Sequence, residues 1–162
     1  MVVQTVYSAT HAVAYAGMIA DGQLKNTISK RNADSVIIPY GKGVVTSGED
    51  AAKLPVDASP ATAFIGVTMY ETNRAQSDGD VAGAVLNNFF TVITEGAVWV
   101  KAAADTIVKD EPVYLRVGTT NPGDFSNVVG AGVTLGVLIP NAKFLTGGDT
   151  GDLVKVSLGL GG

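Results

Sequence analysis

Residues 89–117 read FFTVITEGAVWVKAAADTIVKDEPVYLRV, and the parsing of this stretch decides the fold. Three runs within it, 89–94, 97–102 and 112–117, are dominated by Val, Ile, Thr, Phe, Trp and Tyr. Those residue types fit a pleated, half-buried surface. Glu95-Gly96 separates the first two runs and reads as a turn between adjacent antiparallel strands. Residues 103–111 are more polar, carrying Asp105, Lys109, Asp110 and Glu111. Pro112 then restarts extended chain, at a strand's first position, where a missing N–H costs little. Val98 and Val100 fall on one face of their run, Trp99 and Lys101 on the other. A Trp opposite the main apolar face implies that both faces are covered, as in a barrel or an interface strand. The stretch predicts a central β-meander, and nothing in it has the makings of a catalytic centre.

Outward from this centre, the chain is a series of short extended runs separated by Gly, Pro and Asp turns. Upstream, residues 24–29, 36–38, 40–45 and 63–70 read as extended, with Gly66 a bulge. Residues 46–61 form a polar loop with room for a helical turn around 49–53, and 71–84 form another. Downstream, 118–128 is a long turn around Asn121-Pro122-Gly123-Asp124. Strands are predicted over 133–139, ended by Pro140, over 143–145, and over the well-alternating 153–158. Nine or ten short strands of this kind indicate an all-β, single-domain antiparallel barrel or sandwich with long loops. Residues 1–16 are nearly uncharged and rich in Ala, Val, Tyr and Thr. They read either as an extended N-terminal arm lying against something apolar or as a first strand; the division adopted is an arm over 1–16 and a β domain over 17–162.

Composition narrows the function. Charged residues make up 16% of the 162, against roughly 25% in ordinary soluble domains, while 20 glycines accompany a mean hydropathy of +0.28. Such a chain either hides much of its surface against partners or is a Gly-rich β domain with little surface to charge. The net charge of −4 and the small basic cluster Lys25, Lys30, Arg31 argue against direct contact with nucleic acid. No apolar run approaches the ~20 residues of a membrane helix, and the first 18 residues have no basic segment of the kind that opens a signal peptide. No membrane partner is expected.

Enzyme chemistry finds no foothold. Cysteine is absent and His11 is the sole histidine, so thiolate and multi-histidine metal sites are excluded. His11 has no nucleophile elbow nearby. Ser77-Asp78-Gly79-Asp80 and residues 147–152 (GGDTGD) lack the ligand spacing of a calcium loop and read as turns. Gly41-Lys42-Gly43 and Gly130-Ala131-Gly132 match no phosphate-binding loop. No catalytic residue, cofactor or metal is predicted.

Four stretches carry a family resemblance. Residues 15–22 (YAGMIADG) hold a Gly-Met-x-Ala-Asp element, and 38–44 (IPYGKGV) an apolar segment ending Gly-x-x-Val. Residues 64–69 (FIGVTM) form a Gly-Val strand after a loop, and 92–117 pair a Gly-x-Val-Trp-Val strand with a later Val-Tyr strand. Together these cover most of residues 15–139 and resemble the cement, or head-decoration, proteins of tailed bacteriophages. The resemblance implies a non-enzymatic protein on the outside of an assembled capsid, bridging neighbouring major-capsid subunits as a trimer or dimer. It implies a place in the virion after synthesis in the bacterial host cytoplasm, and no catalytic residues to carry over. Arm residues Val2, Val3, Val6, Tyr7 and Tyr15 could then join or cover strands of a capsid subunit by β-augmentation, with Met18 and Trp99 as further interface candidates. A ligand- or receptor-binding β module, or a tail-associated structural protein, is the alternative.

Overall fold

In the computed structural model, residues 14–22, 24–56, 59–72, 82–104 and 106–159 are described. The expectations for Val2, Val3, Val6, Tyr7 and His11 fall outside those residues.

The 13-residue strand β7 (Phe89–Lys101) organises the molecule, and it runs straight through the expected turn. Gly96 has φ +117°, a conformation that favours glycine. Opposite β1 (Asn26–Asn32), Asn26 pairs with Glu95 but Thr27 with Ile93, so Thr94 is skipped. An extra residue of this kind swaps the faces to which later side chains point. Before the bulge Phe90 and Val92 enter one core from one face, while Ile93 enters a second core from the other. After it, Val98 and Val100 supply that second core. One strand thereby serves two sheets.

The other strands are β2 (Ile38–Pro39), β3 (Gly43–Thr46), β4 (Ala51–Lys53), β5 (Phe64–Thr68), β6 (Gly83–Ala84), β8 (Pro112–Arg116), β9 (Phe125–Ser126), β10 (Gly136–Phe144) and β11 (Leu153–Leu158). The main sheet has the order β1-β4-β3-β5-β7-β11-β10-β8-β9, and β1 also pairs with β7. Strands β1, β4, β3, β5 and β7 therefore close into a ring. Beyond β7, the run β11-β10-β8-β9 returns to it through a parallel bridge between Ala102 and Phe125. Strands β2 and β6 form a separate small sheet.

The all-β expectation holds, with a barrel-like core. Several local expectations do not. The meander is replaced: β8 pairs with β9 and β10, and β7 with β1, β5 and β11. The helical turn expected near 49–53 is strand β4, which lies parallel to β1 and antiparallel to β3. Pro140 does not end its strand. It lies inside β10, between Leu138 and Lys143, where the register against β8 is irregular and no ladder N–H is demanded of it.

Two clusters fill the interior. The ring encloses Ile38, Val44, Ala52, Ala84, Phe90 and Val92. The larger cluster includes Leu115, Phe125, Phe144, Val154 and Val156, each fully buried large side chain contributing about 1.5–3 kcal/mol. Asn32 is polar yet fully buried. Its Nδ2 donates to the carbonyls of Val36 (3.1 Å) and Ala84 (2.9 Å), and its Oδ1 accepts from Asp34 N–H (2.8 Å). Those bonds offset the burial of the amide and tie the end of β1 to the β2–β6 sheet.

Candidate functional site

Residues 14–20 do not stand apart from the β domain. They lie along the second half of β7 as a short antiparallel edge. Gly17 N–H donates to Trp99 O (2.7 Å), Trp99 N–H to Met18 O (2.9 Å) and Ala20 N–H to Ala97 O (2.8 Å), while Tyr70 N–H donates to Gly17 O (2.9 Å). This seating depends on two glycines. A Cβ on Gly17 (φ +83°) would come within 2.5 Å of Thr68 O, and one on Gly41 (φ +78°) within 2.5 Å of Ala16 Cβ. Real side chains do not approach that closely, so the two backbones meet only because neither residue has one.

The expected interface residues that fall within the described chain come together on this edge. Tyr15, 48% exposed, stacks on Tyr70 with ring centroids 5.2 Å apart, and Tyr40 meets Tyr70 edge-on at 5.3 Å. Met18, 38% exposed, pairs through its backbone with Trp99. The Trp99 ring faces outward from β7, half-buried, beneath Lys155, whose Nζ lies 5.1 Å from the ring centroid. Such cation–π contacts are worth about 0.5–1 kcal/mol at exposed sites. Trp99 is thus the covered outer residue that its position opposite Val98 and Val100 implied.

Next to this edge is a notch of about 380 Å³ between the two sheets, lined by Pro39, Tyr40, Gly41, Lys42, Lys101, Ala102, Asn121, Asp124, Thr150 and Gly151. Lys42 Nζ lies 2.7 Å from Asp124 Oδ1, both side chains being largely buried. Burial pushes the Asp124 carboxyl above the usual carboxylate range, opposed by the charge and hydrogen bond of Lys42 and the charge of Lys101. Lys101 itself is exposed at the end of β7. Sequence reasoning took none of these three residues for a site: Lys42 lay in a Gly-Lys-Gly segment set aside as no phosphate-binding loop, Lys101 was placed only on the face of Trp99, and Asp124 only in a turn. Tyr40 and Tyr70 were not singled out either. The available signal was the glycine pair in residues 40–43 (YGKG), and Gly41 is indeed a place of close backbone approach.

Besides the scattered Leu24, Val56 and Val108, the remaining exposed large apolar side chains fall in two places. Val36, Val85, Leu86 and Phe89 surround the Asn32 junction, and Val128, Val129, Val133 and Leu138 lie on or beside the loop between β9 and β10. Among the described residues no three His, Asp or Glu side chains converge as metal ligands, and no helix is long and apolar enough to cross a membrane. The arrangement is one of surfaces: a glycine-seated edge, an aromatic row and a lysine-lined notch.

Comparison with known proteins agrees in kind. A family profile described as a structural cement protein (E217 gp24/Pam3 gp6) matches residues 3–159. No match was found among curated protein sequences. Among solved structures, the chain is similar to one from the capsid of Myoviridae phage XM1, with a TM-score of 0.74 and 17% identity over 99% of each chain. At that identity the likeness is one of fold. A second, weaker likeness is to the head fiber gp8.5 N base of bacteriophage phi29, with a TM-score of 0.41 and 14% identity over 83% of this chain and 94% of that one.

Proposed function

The chain belongs to the phage structural cement protein family, and from that premise we propose that it binds the outer surface of an assembled capsid and bridges neighbouring major-capsid subunits. The observation that carries this reading is the family match over residues 3–159, which takes in most of residues 1–16 as well as the β domain. The protein acts without turnover, as a dimer or trimer, on the capsid exterior after synthesis in the host cytoplasm. Nucleic acid and membrane are not its partners. Residues 1–16 act as an arm whose last residues, 14–16, are seated on the β domain; Val2, Val3, Val6 and Tyr7 grip the shell together with the exposed side of Tyr15, and Met18 and Trp99 lie at the root of that grip.

The physical logic is mass action. A protein that binds the assembled lattice and not its separated subunits stabilises the lattice by the free energy of that binding. Repetition over a symmetric shell multiplies a modest affinity per copy. The seating of residues 14–20 on β7 supports the arm's role, because it ties the chain just after the arm's first 13 residues to the central strand. The test is co-sedimentation of the purified protein, and of a variant lacking residues 1–14, with shells stripped of cement. Saturable binding by the full chain and its loss on truncation are expected. Equal binding by the truncated chain refutes the arm, and no binding by the full chain refutes the reading.

A further inference from the structure

We propose that the notch between Lys42 and Lys101 receives one acidic side chain, an Asp or Glu, from the surface on which the protein docks; taking that surface to be a capsid subunit rests on the function proposed above. The argument is one of charge and shape. Lys42 is neutralised by Asp124 at 2.7 Å. Lys101 has no carboxylate within ion-pair distance among the described residues, although its charge reaches Asp124. Among the described residues, two ammonium groups therefore share one carboxylate, leaving a single positive charge over at the notch in a chain of net charge −4.

The nearby acidic turn does not supply the missing partner. Asp149 Oδ1 accepts from Thr106 N–H (3.0 Å) in the loop across from it, Asp152 Oδ2 accepts from Asp149 N–H (3.0 Å), and neither carboxylate lies within ion-pair distance of Lys101. The largely buried Lys42–Asp124 pair marks a poorly solvated floor, where charge pairing is stronger than in open water. The notch, about 380 Å³, lies at the small end of the range for binding pockets. A monoanionic carboxylate balances the spare charge. A phosphate dianion would overshoot it beside the Asp124 carboxylate, which disfavours phosphate as the occupant. Gly41 lines the notch and also packs on Ala16 and Gly17. An acidic side chain held there would therefore be gripped beside Ala16 and Gly17 of the edge seated on β7.

Two measurements on the full chain test this. In the first, N-acetyl-glutamate methylamide is titrated into labelled protein and followed by NMR, with the neutral glutamine analogue as control. Saturable shifts at the Lys42, Ala102 and Gly151 amides are expected for the glutamate compound only, with Kd of about 1–10 mM, and Lys101→Gln abolishes them. A flat titration, or equal shifts with the glutamine analogue, overturns the proposal whatever the shells do. In the second, shell affinity is compared for Lys101→Gln and for Lys109→Gln, which removes the same charge from an exposed position outside the notch. Lys101→Gln weakens binding about fivefold, the upper range for a partly exposed ion pair, and Lys109→Gln leaves it unchanged. Equal binding by both variants overturns the docking role. A positive titration with no shell binding by wild type upholds the notch and overturns the capsid as its source.

Discussion

Replacing Gly17 by alanine should detach the edge that joins residues 14–20 to β7 while leaving the barrel intact. The added Cβ would lie 2.5 Å from Thr68 O, 2.8 Å from Gly41 N and 2.9 Å from Tyr70 N. All three are backbone atoms held by the β5 edge and the 40–43 turn, so no side chain can swing away to relieve the clash. The left-handed φ of +83° adds about 1–2 kcal/mol for a residue with a Cβ. The cheapest escape is release of the edge. That forfeits four backbone bonds, to or from Trp99, Met18, Ala97 and Tyr70, each worth about 0.5–1.5 kcal/mol net. The expected cost is about 2–6 kcal/mol, confined to residues 14–20 and what they touch. Native-state hydrogen exchange reads it directly: the Trp99 and Tyr70 amides, which donate to Met18 O and Gly17 O, exchange on the order of 10²-fold faster. Amides of β11, on the other side of β7, keep their protection. Unchanged exchange at Trp99 and Tyr70 would refute the steric argument.

Asn32→Ala strands the Val36 and Ala84 carbonyls and the Asp34 N–H where a buried amide now satisfies them; a loss of about 2–4 kcal/mol is expected in urea melts, and a loss below about 1 kcal/mol would contradict it. The pH dependence of stability has two opposed contributions. Asp124 titrates above its unfolded value of 3.8 because burial disfavours its charge, so its contribution is greatest below that value and declines as pH rises through the window up to its raised pKa. Glu111 is held below 4.5 by hydrogen bonds from Val108 N–H and the Asn127 amide, so its contribution is present above 4.5 and is lost as pH falls through its lowered value. Urea melts from about pH 3 to pH 6 should show Asp124→Asn removing the first slope and Glu111→Gln the second; slopes unchanged by either variant would refute the assignments.

How much of this was legible in the sequence depended on whether the deciding partner was local. Strand β11 was read with its observed bounds, because the alternation in LVKVSL at 153–158 states its own pattern. Gly66 was read as a bulge, and the register of β3 against β5 shifts beside it. Gly96 was read as a turn, since a glycine in a bulge and a glycine in a hairpin look alike in the residues around them. What separates them is β1, which runs on past both sides of the bulge from some 65 positions away. Ala51–Lys53 carries no pattern of its own and is a strand only because β1 and β3 flank it. The same division holds for the candidate site. Tyr15, Met18 and Trp99 stood out by type and place, whereas Tyr40, Tyr70, Lys42, Lys101 and Asp124 become a surface only once the two sheets meet.

The central claim, that this chain holds an ordered shell together, is tested most directly by heat. Cement-stripped capsids are mixed with increasing amounts of the purified protein, and the temperature at which the shells rupture is followed by release of their contents. The account predicts a rise that grows with occupancy and saturates at a fixed number of copies per shell. A rupture temperature that stays the same at full occupancy would contradict it.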